Sequence, residues 1–128
     1  MVPTRKQKPI VMHHHWKSIP AEQVNPQMTR KFIYGDKVMI AKLTFEDGFL
    51  VPWHQHENEQ ISEVFEGTIR FWFDNDETKY LDLKPGESYV IKGNRLHKAL
   101  MIGHVVATDT FSPPRKDWID GSDAYLRK

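Results

Sequence analysis

Between Val38 and Phe111 the chain is a succession of short runs in which apolar and polar residues alternate, broken about every ten residues by turn-forming residues. Val38–Phe45 sets the pattern: Met39, Ala41, Leu43 and Phe45 share one face, and Lys42 and Thr44 lie on the other. Glu46-Asp47-Gly48 reads as a turn. Phe49–His56 and Ile61–Glu66 follow. Gly67 breaks the run, and Thr68–Phe73 resumes it with Ile69, Phe71 and Phe73 on one side. Asp74-Asn75-Asp76 is a hairpin signal, Tyr80–Leu83 a short strand, and Lys84-Pro85-Gly86-Glu87 a further turn. Ser88–Ile91, His97–Met101 and Val105–Phe111 complete the series, with a hairpin turn expected at Gly103-His104. Eight or nine strands at this spacing, with no helical period between them, predict an all-β chain folded as a small antiparallel sandwich or barrel.

The flanks are different. Residues 1–30 carry Pro3, Pro9, Pro20 and Pro26 and few apolar clusters, and read as an irregular N-terminal arm with at most a short strand near Phe32–Tyr34. Ser112-Pro113-Pro114 stops the last strand, and the polar stretch from Arg115 is a short helix or a loop. The expected organisation is an arm (1–30), one barrel (31–118) and a tail (119–128). A chain of 128 residues, 39% of them apolar, has material for one core. Its 18 basic and 17 acidic residues nearly balance, so no strong field argues for nucleic acid or an anionic membrane surface. With no cysteine, disulfides, thiolate catalysis and thiolate metal sites are excluded. No apolar run approaches the ~20 residues of a membrane span. The basic start, Met1–Met12, lacks the apolar segment of a secretory signal, so a cytoplasmic location is expected.

The histidines are the first chemical signal. His54 and His56 are two apart in an extended run, so both imidazoles project from one face and can converge on one ion. They sit in the string Gly48-x5-His54-x-His56-x3-Gln60-x6-Gly67, and His97 lies eleven positions beyond Gly86, at the start of a strand. These two blocks resemble the two motifs of the cupin superfamily, from Gly35 to Phe111. The resemblance implies a double-stranded β-helix, a small jelly-roll barrel holding one divalent metal ion (Zn, Ni, Fe or Mn). The implied ligands are His54, His56, Gln60 and His97. Gln60 stands where an acid is usual. Glu59 is adjacent, but neighbouring strand residues face opposite ways, and Gln60 keeps the spacing. Lys92, Asn94 and Met101 also depart from the family pattern without removing a ligand. A neutral His and Gln shell leaves a dication its full charge, which favours Lewis-acid chemistry over dioxygen activation. His13-His14-His15 and His104 are expected to be exposed, and Trp53 to face away from the histidine pair.

The last strand carries the second signal. Asp109 and Phe111 share a face, but alternation does not say which face is inward. Asp109 is either a carboxyl group inside the barrel mouth or an outward residue paired with Arg115. The string Asp109-Thr110-Phe111-Ser112-Pro113-Pro114-Arg115-Lys116-Asp117-Trp118 is similar to the ending of the pectin-degradation cupins of KdgF type, and Asn58-Glu59-Gln60 resembles their first block. That resemblance implies conversion of 4,5-unsaturated monouronates from pectin or alginate into linear keto sugars. It casts Asp109 and Arg115 as catalytic, Arg115 also as the substrate carboxylate's partner, and Phe111 as shaping the pocket. Other small cupins are dioxygenases, isomerases or polyketide cyclases, or bind a sugar or small acid without catalysis. A homodimer is expected, with the arm as an exchanged element.

Overall fold

The computed structural model describes residues 11–127, so the basic start of the chain, with Pro3 and Pro9, lies outside the described residues. Eight strands are present: β1 (Glu22–Asn25), β2 (Met28–Tyr34), β3 (Met39–Phe45), β4 (Leu50–His54), β5 (Glu59–Phe73), β6 (Asp76–Leu83), β7 (Ser88–Ile91) and β8 (His97–Ser112). A short helix α1 (Lys116–Asp120) and two 3-10 turns, Trp16–Ser18 and Ala124–Leu126, complete the fold. Among the described residues no helix is long and apolar enough to cross a membrane.

β5 and β8 form the spine. They pair antiparallel from Glu59–Ser112 at one end to Phe73–His97 at the other, with register shifts around Glu66. One half of this ribbon continues through β3, β2 and β1 on one side and β7 on the other. The second half carries β4 and β6. Bending the ribbon folds these two sheets over one core, a barrel of the kind the alternation predicts and with the jelly-roll form that the family resemblance implies. The bend is glycine-dependent. Gly67 has φ +76°, and a Cβ there would lie 2.4 Å from the carbonyl oxygen of His104.

The strands expected at Ile61–Glu66 and Thr68–Phe73 are therefore one strand, as are those at His97–Met101 and Val105–Phe111. There is no hairpin at Gly103-His104, because the positive φ of Gly103 bends β8 while its pairing with β5 continues on both sides. β6 begins at Asp76, four residues before the expected start. Asp74 and Asn75 both take left-handed backbone angles (φ 59° and 61°), which closes the turn in two residues.

The expected arm also needs correction: from Glu22 onward it is sheet. Asn25 Oδ1 accepts from the Gln27 amide at 2.8 Å, turning the chain at Pro26 so that β2 pairs with β3 along its length. Trp16 lies against the same sheet, 4.8 Å from Lys42 Nζ.

The inward set of β3 is as the alternation reads it. Met39, Ala41, Leu43 and Phe45 are each no more than 4% exposed and meet Val64, Ile69, Phe71, Ala107 and Phe111 in the core. At about 25 cal/mol per Å2 such apolar burial is the main term holding the barrel closed. Among the buried polar residues is Arg30, which is 1% exposed. Its Nε donates to Glu22 (2.9 Å) and its Nη1 to Asp123 (2.5 Å), and its guanidinium lies 4.6 Å from the Trp118 ring centroid. Asp123 also accepts from Arg127 Nε at 2.7 Å. This network fastens the C-terminal segment across the barrel end. Arg30→Met should cost about 3 kcal/mol, or roughly 10 °C in Tm, because Asp123 stays buried with half its partners gone. A thermal melt checks it, and an unchanged Tm would mean that hydrophobic packing alone holds the segment.

Candidate metal centre

His54 ends β4, His56 follows in the β4–β5 connection, Gln60 is the second residue of β5, and His97 opens β8. His54 and His97 are cross-strand partners, which brings the distant blocks together. One nitrogen from each of His54, His56 and His97 lies within 4.8 Å of the others, the one such cluster among the described residues. The rings of His54 and His97 are 4.1 Å apart, and His56 meets His97 edge-on at 5.2 Å.

The orientation of each ring has a local cause. His54 Nδ1 donates to the Pro52 carbonyl (2.8 Å), His56 Nδ1 to the Asn58 carbonyl (3.0 Å) and His97 Nδ1 to the Arg95 carbonyl (2.7 Å). With Nδ1 protonated on all three rings, every Nε2 keeps a free lone pair. His97 Nε2 is buried without a hydrogen-bond partner, a costly position for an imidazole with no ion to coordinate. Gln60 Oε1 lies 3.1 Å from His56 Nε2. The amide is oriented from behind: Gln60 Nε2 donates to Ser62 Oγ (2.9 Å), which donates to Asp109 Oδ1 (2.6 Å). This donor set of three neutral imidazoles and an amide oxygen suits a borderline divalent ion.

Electrostatics agree. Burial, with His97 nearby, lowers His54 to about 3. Burial and the Arg115 charge lower His56 to about 4. Burial lowers His97 as well. All three are neutral imidazoles at neutral pH. In the unfolded chain each titrates near 6.5, so below that pH the unfolded state binds more protons and the metal-free fold loses stability. For His54 and His56 the loss by pH 5 is roughly 1–2 kcal/mol each. Melts in chelator at pH 7 and pH 5 should differ accordingly, and equal Tm values would contradict neutral rings.

Asp109 faces inward, into the cavity that Gln60, Ser62 and His97 line. Burial pushes its carboxyl up to about 6, against the opposing effects of the Ser62 hydrogen bond and Arg115. Arg115 does not pair with Asp109. Its Nε and Nη2 grip Asp117 at 3.0 and 2.8 Å, and Nη2 also donates to Tyr125 Oη at 2.6 Å. The guanidinium is 3% exposed and stands 5.0 Å from the Phe111 centroid, while Phe111 meets His56 edge-on at 5.8 Å. The inner cavity is only about 50 Å3 and mostly apolar. Above it a mouth of about 400 Å3 opens between His54, His56, Asn58, Arg115, Lys116, Asp117 and Tyr125. A small polar molecule fits the mouth, over the imidazoles, rather than the barrel interior.

Two residues around this site, Tyr125 and Ser62, had no sequence signal that singled them out. Tyr125 stacks on His54 at 5.1 Å from a 3-10 turn in the tail. Ser62 links Gln60 to Asp109. Asn58, inside the first motif, donates to the Pro113 carbonyl (2.5 Å) and so ties the metal loop to the Pro-Pro bend that presents Arg115. His13, His14, His15 and His104 are exposed, and Trp53 turns away from the cluster toward Lys98, as the spacing predicts.

The family model for the cupin domain matches residues 41–109. This chain belongs to the cupin family. Among solved structures, KdgF from Halomonas sp. is 27% identical, with 80% of this cupin and 94% of that chain covered at a TM-score of 0.71. An RmlC-like cupin from Shewanella frigidimarina is 24% identical over 85% of this chain and 97% of that one, TM-score 0.76. The polyketide cyclase RemF from Streptomyces resistomycificus is 17% identical over 91% and 99%, TM-score 0.66. The latter two likenesses are of fold. Comparison with curated proteins gives no match.

Proposed function

We propose that this cupin is a metal-dependent enzyme that opens 4,5-unsaturated monouronates to linear keto sugars. The observation that carries the reading is the placement of three neutral imidazoles at the base of the mouth, with the Arg115 guanidinium on its wall and the Asp109 carboxyl in the inner cavity that His54, His97 and Arg115 also line. The run from Asp109 to Trp118, similar to the ending of the KdgF-type cupins, and the likeness to KdgF from Halomonas sp. support it.

The substrate is a cyclic enol ether bearing a carboxylate and an anomeric hydroxyl. In the reaction carbon four gains a proton, the anomeric hydroxyl loses one, the bond from the anomeric carbon to the ring oxygen breaks, and that oxygen becomes a ketone on carbon five. No atom is gained or lost. A divalent ion held by His54, His56, His97 and Gln60 would supply Lewis acidity toward the carboxylate and its neighbouring oxygen. Arg115 binds the carboxylate through Nη1, which makes no hydrogen bond among the described residues, while Asp117 and Tyr125 hold the guanidinium in place. Asp109, anchored by Ser62, moves the proton between the anomeric oxygen and carbon four. Phe111 packs under both Arg115 and His56 and keeps that wall of the pocket apolar.

The test is incubation of metal-loaded protein with lyase-generated unsaturated galacturonate and, separately, mannuronate. Ultraviolet absorbance of the conjugated enol should fall in proportion to enzyme, with the linear keto sugar as product by NMR. Absorbance that stays at the uncatalysed rate with both sugars overturns the reading, and binding without loss of absorbance would make this a sugar-binding cupin.

A further inference from the structure

The chain beyond the Pro113-Pro114 bend closes one side of the mouth. Gly121, with φ +76°, ends α1 and turns the chain back across the barrel end. There Asp123 is bound by Arg30 and Arg127, Asn25 Nδ2 donates to the Leu126 carbonyl at 2.6 Å, and Leu126 is buried in the core. Tyr125 sits between these two anchors. It is therefore held by residues of β1 and β2 that take no part in the metal centre. Its ring stacks on His54 with an interplanar angle of 26°, and it borders both the mouth and the inner cavity.

The phenol has one proton to give. Tyr125 Oη accepts from Arg115 Nη2 at 2.6 Å, and a guanidinium has no lone pair with which to accept in return. The phenol proton therefore points away from Arg115, and it meets no acceptor among the described residues. A hydroxyl polarised by a cation in this way is a stronger donor than a free one. Arg115 Nη1 is also uncommitted among the described residues, because Asp117 and Tyr125 occupy Nε and Nη2. Two adjacent groups on one mouth thus each hold an unused donor. A carboxylate, planar and with two acceptor oxygens, takes one hydrogen bond from each. Asp117 offsets part of the guanidinium charge, which raises the value of a second donor. We propose that Tyr125 is a substrate-binding residue whose hydroxyl donates to the substrate carboxylate beside Arg115 Nη1. The C-terminal segment then supplies part of the recognition. The proposal rests on Arg115 as the carboxylate's partner in the reading above, but its test needs no turnover.

The probe is D-galacturonate, a saturated uronate with no enol to react, titrated by calorimetry into the metal-loaded full chain. Tyr125→Phe keeps the ring on His54 and should keep its metal. Its Kd for galacturonate should rise about tenfold or more, the loss expected for a hydrogen bond to a charged group. The methyl ester of galacturonate lacks the charge, and the variant should bind it no more weakly than the wild type does. A crystal structure of the galacturonate complex should place Tyr125 Oη within about 3 Å of a carboxylate oxygen, which separates direct donation from mere support of Arg115. Equal galacturonate affinity in the two proteins, an equal loss for the ester, loss of metal from the variant, a carboxylate out of reach of Oη, or a wild type that binds no galacturonate at millimolar concentration would each overturn the proposal. The expected binding difference without turnover of unsaturated uronates would uphold it and overturn only the ketonisation.

Discussion

His97→Ala should leave the protein folded and nearly free of bound metal. Of the three imidazoles, His97 is the most enclosed, at 2% exposure, and its Nε2 is the donor with nothing else to bond. Removing it leaves two imidazoles and a weak amide donor, too few strong ligands to hold a borderline dication in competition with water. Metal content by elemental analysis should fall to about a tenth of the wild type or less, and catalysis with it. Stability separates this from simple misfolding. In chelator the variant should melt close to the metal-free wild type, since it loses a buried imidazole with an unsatisfied nitrogen. Added metal should raise Tm for the wild type and not for the variant. His104→Ala, at an exposed site, should behave as wild type in both conditions. Full metal content in His97→Ala would mean that the cluster is a packing arrangement and not a coordination site.

Asp109→Asn should lower turnover of the unsaturated uronate by about 10^2 to 10^4, the range expected on removing a positioned proton-transfer group. The asparagine is nearly isosteric and its side-chain oxygen can still accept from Ser62, so the Ser62–Gln60 link and the metal shell survive. Metal content and KM should therefore stay close to wild type while kcat falls, the signature of an interaction used in the transition state. Wild-type turnover in this variant would remove Asp109 from the mechanism and leave it as a support for Gln60.

Much of this site was legible in the chain because its signals are local. Period-two spacing puts His54 and His56 on one face whatever the rest of the fold does, and alternation in β3 names its core residues outright. The second block, with His97 opening a strand, supplied the third imidazole. What local spacing could not supply was depth and partnership. Asp109 obeyed the alternation equally well facing in or out, and the choice fell to β8 lying between β3 and β5, which turns that face toward the barrel interior. Arg115 was open to pairing with Asp109, but the turn through α1 brings Asp117 and Tyr125 to it instead. β1 and β2 were hidden because their buried positions include Asn25 and Arg30, polar residues that only partners distant in the chain, Leu126 and Asp123, make tolerable there.

The amino-acid order alone thus determined an all-β barrel and the imidazoles able to share an ion, since facing along a strand depends only on residues one or two positions away. The tertiary structure alone decided the company those groups keep: Ser62 behind Gln60, Tyr125 over His54, Asp117 on Arg115. Such contacts join residues far apart along the chain, and they exist only once strand register and the bend of the β5–β8 ribbon have set the distances between them.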